Sequence, residues 1–67
     1  MNVEINHRMV DVPEGITNLE ALLHQEGFSG KGQAVAVNNR VVPKTQWKDT
    51  PLEEDMQITV IRAVRGG

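Results

Sequence analysis

Residues 17–27 carry the one full helical signal of the chain, and strand-like patterns flank it on both sides. Thr17-Asn18-Leu19-Glu20 fits a capping box, in which the Thr hydroxyl and the Glu carboxylate each satisfy a free backbone N–H. Leu19, Leu22 and Leu23 follow at helical spacing and form one apolar stripe. Gly27 suits the left-handed stop, and Phe28 can then fold back onto Leu23 as in a Schellman ending. A helix is predicted over residues 18–26. With one apolar stripe to bury, it has to cover one face of a sheet.

The strands are read from alternation. Asn2 to Asn6 places Val3 and Ile5 on one face, His7-Arg8 turns the chain, and Met9 to Val12 returns with Val10 and Val12 on one face. Pro13-Glu14-Gly15 ends that strand. After the helix, Ser29-Gly30-Lys31-Gly32 reads as a mobile loop. Ala34 to Val37 is a nearly continuous apolar run, expected to be covered on much of both faces. Asn38-Asn39 suits a tight hairpin, since Asn tolerates positive φ. Arg40 to Val42 returns, Pro43 stops it, and Thr45-Gln46-Trp47 forms one short helical turn. Glu53-Glu54-Asp55 is a charged loop before a last strand from Met56 to about Val64, with Met56, Ile58 and Val60 facing inward. The order ββαβββ, with the first and last strands parallel at the centre and a hairpin on each side, is an α+β single-sheet arrangement of the β-grasp kind. One domain spans residues 1–67.

Size and composition exclude most activities. A chain of 67 residues buries only about 60% of its unfolded surface, which leaves no residues to line a deep cavity. There is no cysteine, so disulfides, thiolate metal sites and cysteine nucleophiles are excluded. The absence of disulfide staples in so small a domain fits a reducing compartment, and the N-terminus has no signal-peptide pattern, so a cytoplasmic location is expected. No apolar run approaches the roughly 18 residues of a membrane span. A net charge of −2, with Phe28 and Trp47 as the only aromatic residues, argues against nucleic-acid binding.

The chain ends Arg65-Gly66-Gly67. At an average Gly content of roughly 7%, two terminal glycines arise by chance about 0.5% of the time. A tail without side chains is thin and conformationally permissive, able to thread a channel where any Cβ would clash. Its α-carboxylate is a poor electrophile at neutral pH and reacts only once activated, for example as an acyl-adenylate. A carboxyl-terminal carrier or conjugating tail, flexible over residues 65–67, is therefore expected to compete with the plainer reading of a frayed end.

The spacing of Val35-Ala36-Val37-Asn38, Val41-Val42-Pro43 and Trp47, followed by a strand ending in Gly-Gly, resembles the thiamine-pathway sulfur carriers, the ThiS family of ubiquitin-like proteins. Asn6, Gly15 and the helix position match that layout, and the resemblance covers the whole chain. One departure stands before the last strand: the family often has Asp-Gly-Asp there, and this chain has Glu54-Asp55-Met56, which makes a less ideal turn. The resemblance implies a carrier that is not an enzyme but a co-substrate of partner enzymes. An ATP-using, E1-like adenylating enzyme of the ThiF type would activate Gly67. A sulfur-donating enzyme would convert it to a thiocarboxylate, and a ThiG-type thiazole synthase would take the sulfur. No cofactor would be bound by the carrier itself. The small subunit of molybdopterin synthase, which uses the same tail chemistry, and a protein modifier joined to a lysine amine are the alternatives.

Around the tail, Arg62 and Arg65 supply local positive charge on an acidic chain, either simply solvated or paired with acidic residues of the activating enzyme, the second reading being favoured. Ile61 and Ala63 fall opposite the inward residues; if the helix covers only the inner face they form a small apolar docking patch, with pairing at the sheet edge as the alternative contact. Trp47 is expected to fill the core edge or cover the end of the sheet. His7 and His24 lack further ligands at suitable spacing, so no metal site is expected. Ser29, Thr17 and Thr45 have no evident base, and Gly30-Lys31-Gly32 lacks the full phosphate-loop spacing.

Overall fold

The computed structural model describes residues 1–62. Strands β1 (Asn2–Ile5) and β2 (Arg8–Asp11) precede helix α1 (Leu19–Gln25); β3 (Gln33–Val37), β4 (Arg40–Val42), a 3₁₀ helix (Lys44–Asp49) and β5 (Gln57–Arg62) follow. The five strands lie in the order β2-β1-β5-β3-β4. Their centre is the parallel pair β1–β5, with Ile5 opposite Ile58, and an antiparallel hairpin flanks it on each side. This is the expected ββαβββ arrangement.

Both hairpins close through two residues with positive φ. Asn38 and Asn39 have φ of 49° and 70°, which matches the right-handed strand twist that type I′ turns serve. The first hairpin turns at Asn6-His7, with φ of 51° and 68°, and not at His7-Arg8 as the sequence led us to expect. Arg8 instead pairs with Ile5 and opens β2. Asn6 occupies the turn because it does two jobs at once. Its backbone N–H donates to the Ile58 carbonyl at 2.9 Å, and its side-chain Oδ1 accepts from the Val60 N–H at 2.8 Å.

The helix begins one residue later than the capping-box reading implies. Asn18, not Thr17, is the cap: its Oδ1 accepts from the Ala21 N–H at 2.8 Å. Tertiary pairing decides between the two. The Thr17 carbonyl accepts from the Leu52 N–H, and the Leu19 N–H donates to the Thr50 carbonyl, so the chain stays extended through residue 18. At the other end the Schellman pattern is complete. The Phe28 N–H donates to the Leu23 carbonyl at 2.8 Å, the Gly27 N–H donates to the His24 carbonyl at 3.1 Å, and Gly27 has φ of 88°.

The core lies between the sheet and the helix layer. Leu19, Leu22 and Leu23 are fully buried and pack in one core with Val3, Ile5, Val35, Ile58 and Val60, as their positions predict. Trp47 is 1% exposed, and its indole N–H donates to the Val42 carbonyl at 2.9 Å, so the ring closes one end of the core and its polar atom is satisfied. The helical turn that carries it is longer than Thr45–Trp47. It runs Lys44–Asp49 and ends where the Thr50 hydroxyl donates to the Gln46 carbonyl. In the connection Ser29–Gly32 the Gly30 N–H donates to Gln33 Oε1 at 2.9 Å, and the Lys31 N–H donates to the Ser29 hydroxyl at 3.3 Å.

The turn before β5 shows what the missing glycine does. Asp55 stands where the related pattern has Gly, and its φ is 63°. A side chain in the left-handed region costs roughly 1–2 kcal/mol, less for Asp than for most residues. The Asp55→Gly variant should therefore be more stable, by about 0.5 kcal/mol once glycine's own entropy cost is set against the relief. Urea unfolding followed by Trp47 fluorescence measures this. A destabilised variant would mean that the Asp55 side chain contributes more than its backbone strain costs.

Candidate functional site

The last described strand is the element that presents the carboxyl-terminal residues. β5 is gripped along one side by β3, from Gln33 opposite Arg62 to Val37 opposite Ile58. On its other side it pairs with β1, whose register with it ends at Ile5 opposite Ile58; the Asn6 side chain adds one further rung at Val60. Met56, Ile58 and Val60 anchor the strand in the core, as expected. Arg62 is exposed. Gly66, Gly67, Arg65 and Ala63, and the end of the last strand expected near Val64, lie outside the described residues.

Ile61 is 53% exposed on the face of the sheet away from the helix. It has apolar neighbours that the sequence reading missed. Ala34 lies opposite Ile61, and Ala36 lies between Thr59 and Val41. Val41 is 72% exposed, Ala34 is exposed and Ala36 is half-buried. The patch is therefore Ile61, Ala34, Ala36 and Val41, on three adjacent strands. The expectation that residues 34–37 are covered on both faces is overturned here. The helix layer covers only one face, so Val35 is buried and the two alanines face out. The large-small alternation Ala-Val-Ala-Val was the available signal: on a half-covered sheet the larger side chains turn toward the covering layer.

The other polar candidates do not assemble. His7 sits at the first turn with its Nδ1 3.6 Å from Glu4 Oε2, and His24 is exposed in the last turn of the helix. Among the described residues no three His, Asp or Glu side chains converge on one point. Thr17, Ser29 and Thr45 lie on three separate segments: before the helix, in the turn after it and in the 3₁₀ helix. The surface depressions are shallow. One of about 380 Å³ is lined by His24, Gly27, Phe28 and Ser29, and carries no constellation of charged groups. No helix among the described residues is long and apolar enough to cross a membrane.

The comparisons agree with this geometry. No curated protein matches the chain. Among solved structures, the crystal structure of the thiamine biosynthesis protein ThiS from Geobacter metallireducens superposes with a TM-score of 0.81 at 19% identity, covering 100% of both chains. An NMR solution structure of a thiamine biosynthesis protein from the same organism superposes with a TM-score of 0.75, also at 19% identity, over 100% of this chain and 88% of the other. At that identity the likeness establishes the fold, a ubiquitin-like β-grasp. The family model that matches is the ThiS family, and its match runs from residue 1 to residue 67. On that whole-length match the chain belongs to the ThiS family.

Proposed function

We propose that this protein is a sulfur carrier of thiamine biosynthesis, a substrate of its partner enzymes and not a catalyst. The carboxylate of Gly67 attacks the α-phosphorus of ATP on an E1-like enzyme of the ThiF type, and pyrophosphate leaves. Sulfur at the sulfide level, supplied by a donor enzyme, then attacks the acyl carbon of the adenylate and expels AMP, leaving a C-terminal thiocarboxylate. A ThiG-type thiazole synthase takes the sulfur from there. The observation that carries this reading is membership of the ThiS family over the whole chain, in a sequence whose core-anchored last strand leads into Arg65-Gly66-Gly67. The domain adds no catalytic group of its own to this scheme. It anchors β5 between β1 and β3, and the chain that follows β5 leads in sequence to the reactive end. Gly66 gives the clearance and Gly67 the chemistry. Incubation with a ThiF-type enzyme and ATP, followed by measurement of pyrophosphate release, tests the first step; no release above the enzyme alone would contradict it.

The surface beside the tail sets how the partner finds it. Ile61, with Ala34, Ala36 and Val41, offers the apolar contact, and Ala63 extends it in sequence. Arg62 and Arg65 supply positive charge to a chain of net charge −2. Charge reversal at both, Arg62→Glu with Arg65→Glu, should leave the fold almost unchanged, because exposed charges add little to stability. It should slow association with the activating enzyme, since complementary charge acts mainly on encounter rate. The defect should shrink as salt shortens the Debye length below its physiological value of about 8 Å. Stopped-flow binding of both proteins across a salt series measures it. Equal rates at low salt would assign the arginines to ordinary surface solvation.

A further inference from the structure

β5 has an open backbone edge just before the tail. Hydrogen-bonded pairs alternate along an antiparallel ladder. The Asn38 N–H donates to the Gln57 carbonyl at 2.8 Å, so the bonded pairs of β3 and β5 continue at Ala36 with Thr59 and at Ala34 with Ile61. The backbone groups of Ile58, Val60 and Arg62 therefore point the other way, toward β1. There the Ile58 carbonyl is taken by the Asn6 N–H and the Val60 N–H by Asn6 Oδ1. Beyond Asn6 the chain turns back into β2, and no described residue follows it along β5. The Val60 carbonyl and the Arg62 N–H thus face the gap above the Asn6-His7 turn, within the sheet but without a strand beside them.

Resting on the carrier reading above, we propose that a short extended segment of the adenylating enzyme fills this gap as an added strand, accepting from the Arg62 N–H and donating to the Val60 carbonyl. Continuity with the reactive end favours this occupant. Positions 62 and 67 are separated by at most about 18 Å of extended chain, so an enzyme that holds the Gly67 carboxylate already spans the region beside Arg62. Gly66 and Gly67 offer no side chain to grip, and pairing with the backbone upstream fixes the tail without one. The gap is also bordered on the helix side by a notch of about 90 Å³ lined by Ile5, Asn6, Arg8, Val10, Glu26 and Phe28. Side chains alternate along a strand, so one residue of the added strand would face the notch, where Arg8 and Glu26 supply polar contacts. The outer edges of β2 and β4 offer free backbone too, but neither leads into the tail.

Amide hydrogen exchange, read residue by residue by NMR, tests the pairing. In the free protein the Arg62 amide should exchange freely while that of Ile61 is protected by its pairing with Ala34. In complex with a ThiF-type adenylating enzyme, protection at Arg62 should rise at least tenfold. Replacing the Arg62 amide by an ester, which keeps the guanidinium, should weaken the complex about fivefold. Adenylate formation is measured on the same samples. Adenylate with no gain of protection at Arg62 overturns the added strand and leaves the carrier reading standing. Failure to form adenylate removes both. Protection at Arg62 that rises with the concentration of the free protein overturns the proposal by assigning the edge to a second copy of this chain.

Discussion

Deletion of Gly67 should abolish adenylate formation and leave unfolding of the domain unchanged. The deletion moves the terminal carboxylate back by one residue, about 3.3–3.6 Å of extended chain. Near-attack geometry tolerates far less: a displacement of about 1 Å can cost on the order of a hundredfold in rate. Among the described residues the last one in the core is Val60, seven positions before the deleted residue. Pyrophosphate release catalysed by the activating enzyme, alongside thermal unfolding of the same sample, separates the two effects. A normal release rate from the shortened chain would mean that the final glycine is not the group activated.

Leu22→Ala should cost roughly 2–5 kcal/mol, the range for truncating a buried leucine. Leu22 is fully buried at the centre of the helix stripe, between Leu19 and Leu23. At about 0.05–0.15 kcal/mol per residue, a domain of this size has roughly 3–10 kcal/mol in total, so the substitution removes much of it. Trp47, the only tryptophan and itself buried, reports the unfolding in urea without interference. A midpoint that barely moves would show that the helix face has been assigned wrongly.

The features legible in the sequence were those set by local chemistry or by burial on one face. The three leucines, the Gly27 stop, the Asn38-Asn39 turn and the inward Met56, Ile58 and Val60 all stand where the pattern puts them. From these, the parallel centre and flanking hairpins followed. The misread positions are those settled by distant partners. Thr17 and Asn18 are both competent caps, and the pairing with Thr50 and Leu52 selects Asn18. His7-Arg8 and Asn6-His7 are both plausible turns, and the bond from Val60 to the Asn6 side chain selects the second. Ala34 and Ala36 look like core because they are apolar. Only the one-sided layering turns them outward and joins them to Ile61 and Val41. For the site, Ile61 and Arg62 were visible in the sequence as exposed positions beside the tail. Val41 and the two alanines were not, because strand neighbours become surface neighbours only once the register is fixed.

The carrier role itself is tested most directly by the intact mass of the protein. After incubation with the activating enzyme, ATP and a sulfur-donating enzyme, the account predicts a mass increase equal to one sulfur replacing one oxygen. Fragmentation should place that change on the peptide ending in Gly66-Gly67, and alkylation of the thiocarboxylate should block further reaction there. An unchanged mass under conditions where the adenylate forms, or a terminal glycine found joined to a lysine amine, would contradict the assignment as a sulfur carrier.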